Sequence, residues 1–123
     1  MNAYAMAQRA YAPTAAPMRS DRSIEYEVIA RVTSRLKKAV VEKKYPQLME
    51  ALHENNTLWR TLAVDVADAG NALPKDLRAR IFYLAEFTDH QTKKVIREDA
   101  SPVPLLEVNM AILRGLKQEG ASA

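Results

Sequence analysis

The sequence contains no cysteine, which excludes a disulfide framework, a thiolate metal site and a cysteine nucleophile. Its three glycines, at positions 70, 115 and 120, are too scattered for a phosphate-cradling loop. Histidine occurs only at positions 53 and 90. His53-Glu54 runs on into Asn-Asn-Thr, without the second histidine of a zinc-protease helix, and His90 adjoins Asp89, a pair that would not share a helical face. There is no nucleophile elbow and no acid cluster with metal-ligand spacing. These absences argue against an enzyme and imply neither cofactor nor metal. No apolar run approaches the ~18 residues of a membrane span. The opening MNAYAMAQRAYAPTAAP lacks the basic start and continuous apolar core of a secretory signal. The expectation is a cytoplasmic protein.

What remains is a single-domain length of 123 residues with formal net charge +3. Residues 19–44 hold eight Lys/Arg and four Asp/Glu, a local +4, and the rest carries −1. That is a mildly basic first half, short of the dense basic surface of a strong nucleic-acid binder.

The pattern throughout is helical. Residues 2–11, NAYAMAQRAY, favour a short helix with Tyr4 and Tyr11 on one face, too short to be stable without a docking surface. Residues 12–19 carry two prolines and read as a linker, so 1–19 is a terminal segment with room to move. A single helical domain is expected over 20–119, with 120–123 a frayed tail. Ile24, Val28, Val32, Leu36 and Val40 recur every fourth residue and predict a helix over about Asp21–Glu42. Pro46 suits the first turn of a second helix, lined by Leu48, Leu52, Trp59 and Val66 and ending near Ala69 before Gly70-Asn71. Pro74 restarts a third, lined by Leu77, Ile81, Leu84, Thr88 and Val95, to about Arg97. Ser101 should cap a fourth, lined by Leu105, Leu106, Ile112, Leu113 and Leu116 and ending near Lys117. No stretch alternates as a strand would. The fold class is all-α: a bundle or orthogonal array of four main helices plus the short N-terminal segment.

Some residues do not fit a plain core. Asn109 falls near the centre of the last apolar face, and Asn55 and Asn56 flank the stripe centred on Trp59. They are either hydrogen-bonded bridges that fix helix register or contacts for a partner. Phe82 and Tyr83 lie more than about 100° from the third helix's apolar stripe, with Phe87 on its flank. That helix either packs on two sides or exposes an aromatic patch to another helix. Arg31, Arg35 and Lys38 share a flank that is either a solvated face or a basic face for an acidic or RNA partner. No RNA-binding signature accompanies it, which makes direct nucleic-acid binding the weaker option.

Three runs carry a resemblance. Ala51-Leu52-His53-Glu54-Asn55-Asn56-Thr57-Leu58-Trp59 resembles an A-L-x-x-N-x-x-L-W stretch, and Asn71-Ala-Leu-Pro74-Lys-Asp-Leu77-Arg78-Ala-Arg-Ile81 an N-x-L-P-x-x-L-R-x-x-I stretch. Leu106-Glu107-Val108-Asn109 with Ile112 and Arg114-Gly115-Leu116 resembles a closing I-E-x-N-x-x-I-x-x-G-L stretch. Their order and intervals are similar to those of the FlaF family of flagellar biosynthesis regulators. Asn56-Thr57 departs from the basic residues expected there.

The resemblance implies a cytosolic regulator of flagellin production and export, acting on flagellin as a secretion chaperone or promoter of its synthesis. It also implies work alongside FlbT, a regulator of flagellin messenger RNA. One mechanism joins both lines of reading: a helical groove holds an amphipathic terminal helix of unassembled flagellin. The candidate partner-binding residues are Tyr4, Tyr11, Asn55, Trp59, Phe82, Tyr83, Phe87 and Asn109. Residues 1–19 are a candidate cover for the empty groove. The alternatives are regulation of flagellin translation through RNA or an RNA-binding partner of the FlbT type, and an adaptor without chaperone activity.

Overall fold

The computed structural model describes residues 21–122, with side chains from Tyr26 to Lys117. The expected N-terminal segment, with Tyr4 and Tyr11, lies outside the described residues. Within them the chain forms four helices and no strand: α1 (Asp21–Glu42), α2 (Tyr45–Ala67), α3 (Lys75–Glu98) and α4 (Val103–Ser122).

The helix ends follow from local chemistry. α1 stops at Lys43, which takes a left-handed backbone (φ 56°) while its N–H donates to Ala39 O at 3.1 Å. α2 opens with Pro46 in its first turn, where a missing N–H costs nothing. Its expected end near Ala69 is drawn back to Ala67, because the stop is built from side chains. Asp68 turns extended, and its carboxylate accepts the Gly70 N–H at 2.9 Å. Asn71 Oδ1 accepts the Leu73 N–H at 2.9 Å, and Asn71 Nδ2 donates to Asp65 O at 3.1 Å. Arg78 then reaches back from α3, donating to Val66 O through Nε (3.1 Å) and Nη2 (3.0 Å) and to Asp68 O at 3.0 Å. Carbonyls that a helix end leaves orphaned are thereby satisfied. α3 ends at left-handed Asp99 (φ 55°), and Ser101 Oγ accepts the Val103 N–H at 3.1 Å ahead of α4. α4 runs on to Ser122, beyond the expected end near Lys117.

The helices form a ring: α1 packs on α2 and α4, and α3 packs closely on α2 and more lightly on α4. Among the described residues the diagonal helices do not pack backbone against backbone, and α2 and α4 meet across the bundle only through side chains. Asn56 faces Asp89 while Arg78 faces Val66, so α2 and α3 run antiparallel. The core falls into two clusters. One gathers Ile29, Trp59, Leu62, Leu77, Ile81, Ile112 and Leu116; the other gathers Leu36, Ala39, Ala51, Leu52, Val95 and Leu105. Each helix gives its residues to the clusters in the order an up-down-up-down bundle requires. Burying one such Leu or Ile stabilises by roughly 1.5–3 kcal/mol.

Candidate partner surfaces and a buried polar layer

The two apolar clusters are separated by a polar layer at mid-bundle. Asn109 of α4 is fully buried and holds its centre. Its Oδ1 accepts the Trp59 indole N–H at 2.8 Å. Its Nδ2 donates to Asn55 Oδ1 at 2.8 Å and to Thr33 Oγ1 at 3.0 Å. Thr33 in turn donates to Ile29 O at 2.7 Å. Three helices are thus joined through one amide. Thr88 supplies the fourth helix at this level, since neighbouring Asn56 and Asp89 meet across α2 and α3 at 3.3 Å. Asn55 Nδ2 and Thr88 Oγ1, both buried, have no hydrogen-bond partner among the described residues.

This placement decides between the two readings of the asparagines. Asn55, Asn109 and Trp59 are each 0% exposed, so they are not liners of an open groove, as the partner-binding expectation had them. They form an internal bridge, in which pairing with Asn109 offsets much of the cost of burying these polar groups. Asn56 is half-buried and turns to α3 instead. The layer's threonines are not visible in the sequence: Thr88 falls in register with the apolar stripe of α3, and Thr33 carries no signal beyond lying next to Val32.

The aromatics of α3 behave in the opposite way. Phe82 is 44% exposed and Tyr83 69%, while Phe87 is half-buried. Of the two readings, the exposed patch is the one observed. Phe82 also lines a notch of about 280 Å³ between α2 and α3, with Arg60, Ala63, Ala85, Glu86 and Asp89. Asp89 anchors that notch. It accepts from Lys93 Nζ at 2.9 Å and from Arg60 Nη2 and Asn56 Nδ2 at 3.3 Å each. Lys93, one turn along, does most to hold the Asp89 carboxyl below its ordinary value; Asn56 and Arg60 add to this, and partial burial opposes it. A basic residue in place of Asn56 would meet the same carboxylate.

Arg31, Arg35 and Lys38 are exposed on α1, as a basic face requires. The face is not purely basic. Arg35 Nε pairs with Glu54 Oε1 at 2.7 Å. Arg35 and Lys38 line a cleft of about 440 Å³ between α1 and α2 together with Glu42, Glu50 and Glu54. Three carboxylates among two cations make a poor phosphate track. Among the described residues no group of three or more His, Asp or Glu could hold a metal, and no helix is long and apolar enough to cross a membrane.

The motif residues at the start of α3 have a visible task, since Arg78 closes the end of α2 and Leu73 and Leu77 enter the first cluster. Trp59, Asn55 and Asn109, from the other two motifs, meet in the polar layer. No curated protein and no solved structure matches the chain. The model of one family, described as flagellar protein FlaF, matches residues 7–116, which includes all three motifs and nearly the whole bundle. The chain belongs to the FlaF family of flagellar proteins.

Proposed function

We propose that the protein binds flagellin in the cytoplasm as a secretion chaperone, promoting its synthesis and export, by holding one amphipathic flagellin helix against the outward side of α3. It acts by binding, without a catalytic step. The observation that carries this reading is the exposure of Phe82 and Tyr83 on a helix whose buried face is already complete. Large aromatics standing in water gain by burial, and aromatic side chains dominate helix-in-groove contacts. Phe87 extends the patch toward the bundle. Capture of flagellin by the wild-type protein and by the Phe82→Ala/Tyr83→Ala double variant tests it. The expected result is loss of capture by a folded variant; undiminished capture removes these residues from the site.

A second reading is control of flagellin translation through an RNA-binding partner of the FlbT type. The α1–α2 cleft favours a protein over RNA as the occupant, because it offers charges of both signs. Direct RNA binding would weaken steeply with salt. Filter binding of a flagellin leader transcript is expected to show no such salt-sensitive retention at low ionic strength, leaving only the partner-mediated route.

A further inference from the structure

Phe82 and Tyr83 stand on different flanks of α3. Successive helical residues are turned by about 100°, and only Phe82 borders the notch between α2 and α3. The floor of that notch is made by Ala63 of α2 and Ala85 of α3, the first half-buried and the second buried. Two methyl groups leave a recess that longer side chains would fill. Val64, beside Ala63 on α2, is 61% exposed and adds apolar surface next to it. At about 280 Å³ the notch lies just below the ~300 Å³ at which small-molecule pockets begin. Its size suits one large side chain of a partner.

The rim is charged, and its two acids differ. Asp89 is engaged by Lys93, Arg60 and Asn56. Glu86, exposed one turn after Phe82, has no ion pair among the described residues. The rim therefore offers one carboxylate, and that carboxylate stands beside an aromatic ring. A Lys or Arg side chain laid over Phe82 toward Glu86 gains from both, by cation–π attraction and by a charge-assisted hydrogen bond. The remaining cation of the rim, Arg60, is already turned to Asp89.

We infer that the α2–α3 notch is the anchor site for the flagellin helix, and that it selects a basic amphipathic one. One large apolar side chain enters over Ala63 and Ala85, and a Lys or Arg one turn along the same helix lies over Phe82 and pairs with Glu86. This rests on the flagellin reading and narrows it: α2 shares the docking surface, and Tyr83 lies outside its centre.

The test is the flagellin Kd of the full chain and of four single variants with wild-type circular dichroism. Ala63→Leu fills the notch and should raise the Kd about tenfold or more, as loss of an anchor pocket does. Glu86→Lys should raise it about fivefold at low salt, with the effect shrinking as salt screens the charges. Tyr83→Ala, and Glu107→Lys as the same charge change on exposed α4, should each stay within about twofold. If Ala63→Leu impairs folding, exposed Glu86→Lys against Glu107→Lys decides alone. Wild-type affinity in both notch variants overturns the inference; if the Phe82→Ala/Tyr83→Ala variant still loses flagellin, the flagellin reading survives without it. Wild-type protein that binds no flagellin overturns both. A concentration-dependent dimer that Ala63→Leu abolishes would give the notch to a second copy of the chain and overturn the assignment to flagellin.

Discussion

The middle of the bundle and the outward side of α3 break the ordinary rule of burial in opposite directions. In the middle, Asn109, Asn55 and Thr33 occupy positions that apolar side chains would fill. On α3, Phe82 and Tyr83 stand where charged residues would do. Asn109 is tolerated inside because both its polar atoms are matched, and each of its hydrogen bonds removes a desolvation penalty that the amide would otherwise carry. The aromatics are outside with nothing comparable to hold them. The matched exception belongs to the fold, and the unmatched aromatics are the surface that the proposed partner would cover.

The comparison can be broken most forcefully at its centre. Asn109→Leu leaves the Trp59 N–H and Asn55 Oδ1 buried without partners, and should lower stability by about 2–5 kcal/mol in urea unfolding. A variant of undiminished stability that fails to capture flagellin would make the layer a partner site after all. Trp59→Phe keeps most of the packing but orphans Asn109 Oδ1, and should lower stability by about 1–3 kcal/mol. Both changes act on the fold, so neither should affect flagellin affinity in molecules that remain folded.

Smaller effects sharpen the other side. Gly115→Ala should raise stability by about 0.5–1 kcal/mol in thermal unfolding, since the new methyl meets only ordinary contact and the helix gains propensity. A loss of stability would mean that Leu77 cannot accommodate the added methyl. Asp89→Asn should have the least effect, under about 1 kcal/mol, because the ion pairs are partly exposed. Its signature lies in pH. The Asp89 carboxyl is held below its ordinary value in the folded protein, so its stabilisation is present at neutral pH and lost as pH falls through the folded-state value. The difference between wild type and variant should therefore shrink on acidification. A gap that stays constant to about pH 2, below the usual carboxylate range, would mean that the charge of Asp89 is not its source.

Much of this architecture was legible in the sequence because helices announce themselves locally. The four-residue spacing from Val28 to Val40 predicts α1, and the cap expected at Ser101 is present, its Oγ accepting the Val103 N–H. The asparagines were legible as misfits. Their arrangement was not, because Asn109 lies 54 residues from Asn55 and 76 from Thr33, and helix order in space is not written in periodicity. The same distance hid the acids beside Arg35: Glu54 is 19 residues away, on another helix. The end of α2 lies two residues before the one expected from Gly70 for a related reason: Asp68, Asn71 and the distant Arg78 make the stop. For the candidate site, periodicity identifies Phe82 and Tyr83 as surplus to the stripe, and the closed ring leaves both exposed.

The most direct measurement is the affinity of flagellin for the Phe82→Ala/Tyr83→Ala variant and for wild type, at matched urea midpoints. Removing two exposed aromatics should leave stability within about 1 kcal/mol. If the outward side of α3 is the docking surface, the Kd should rise by at least about tenfold, as loss of aromatic anchors does in other interfaces. An unchanged Kd in a fully folded variant would contradict the account.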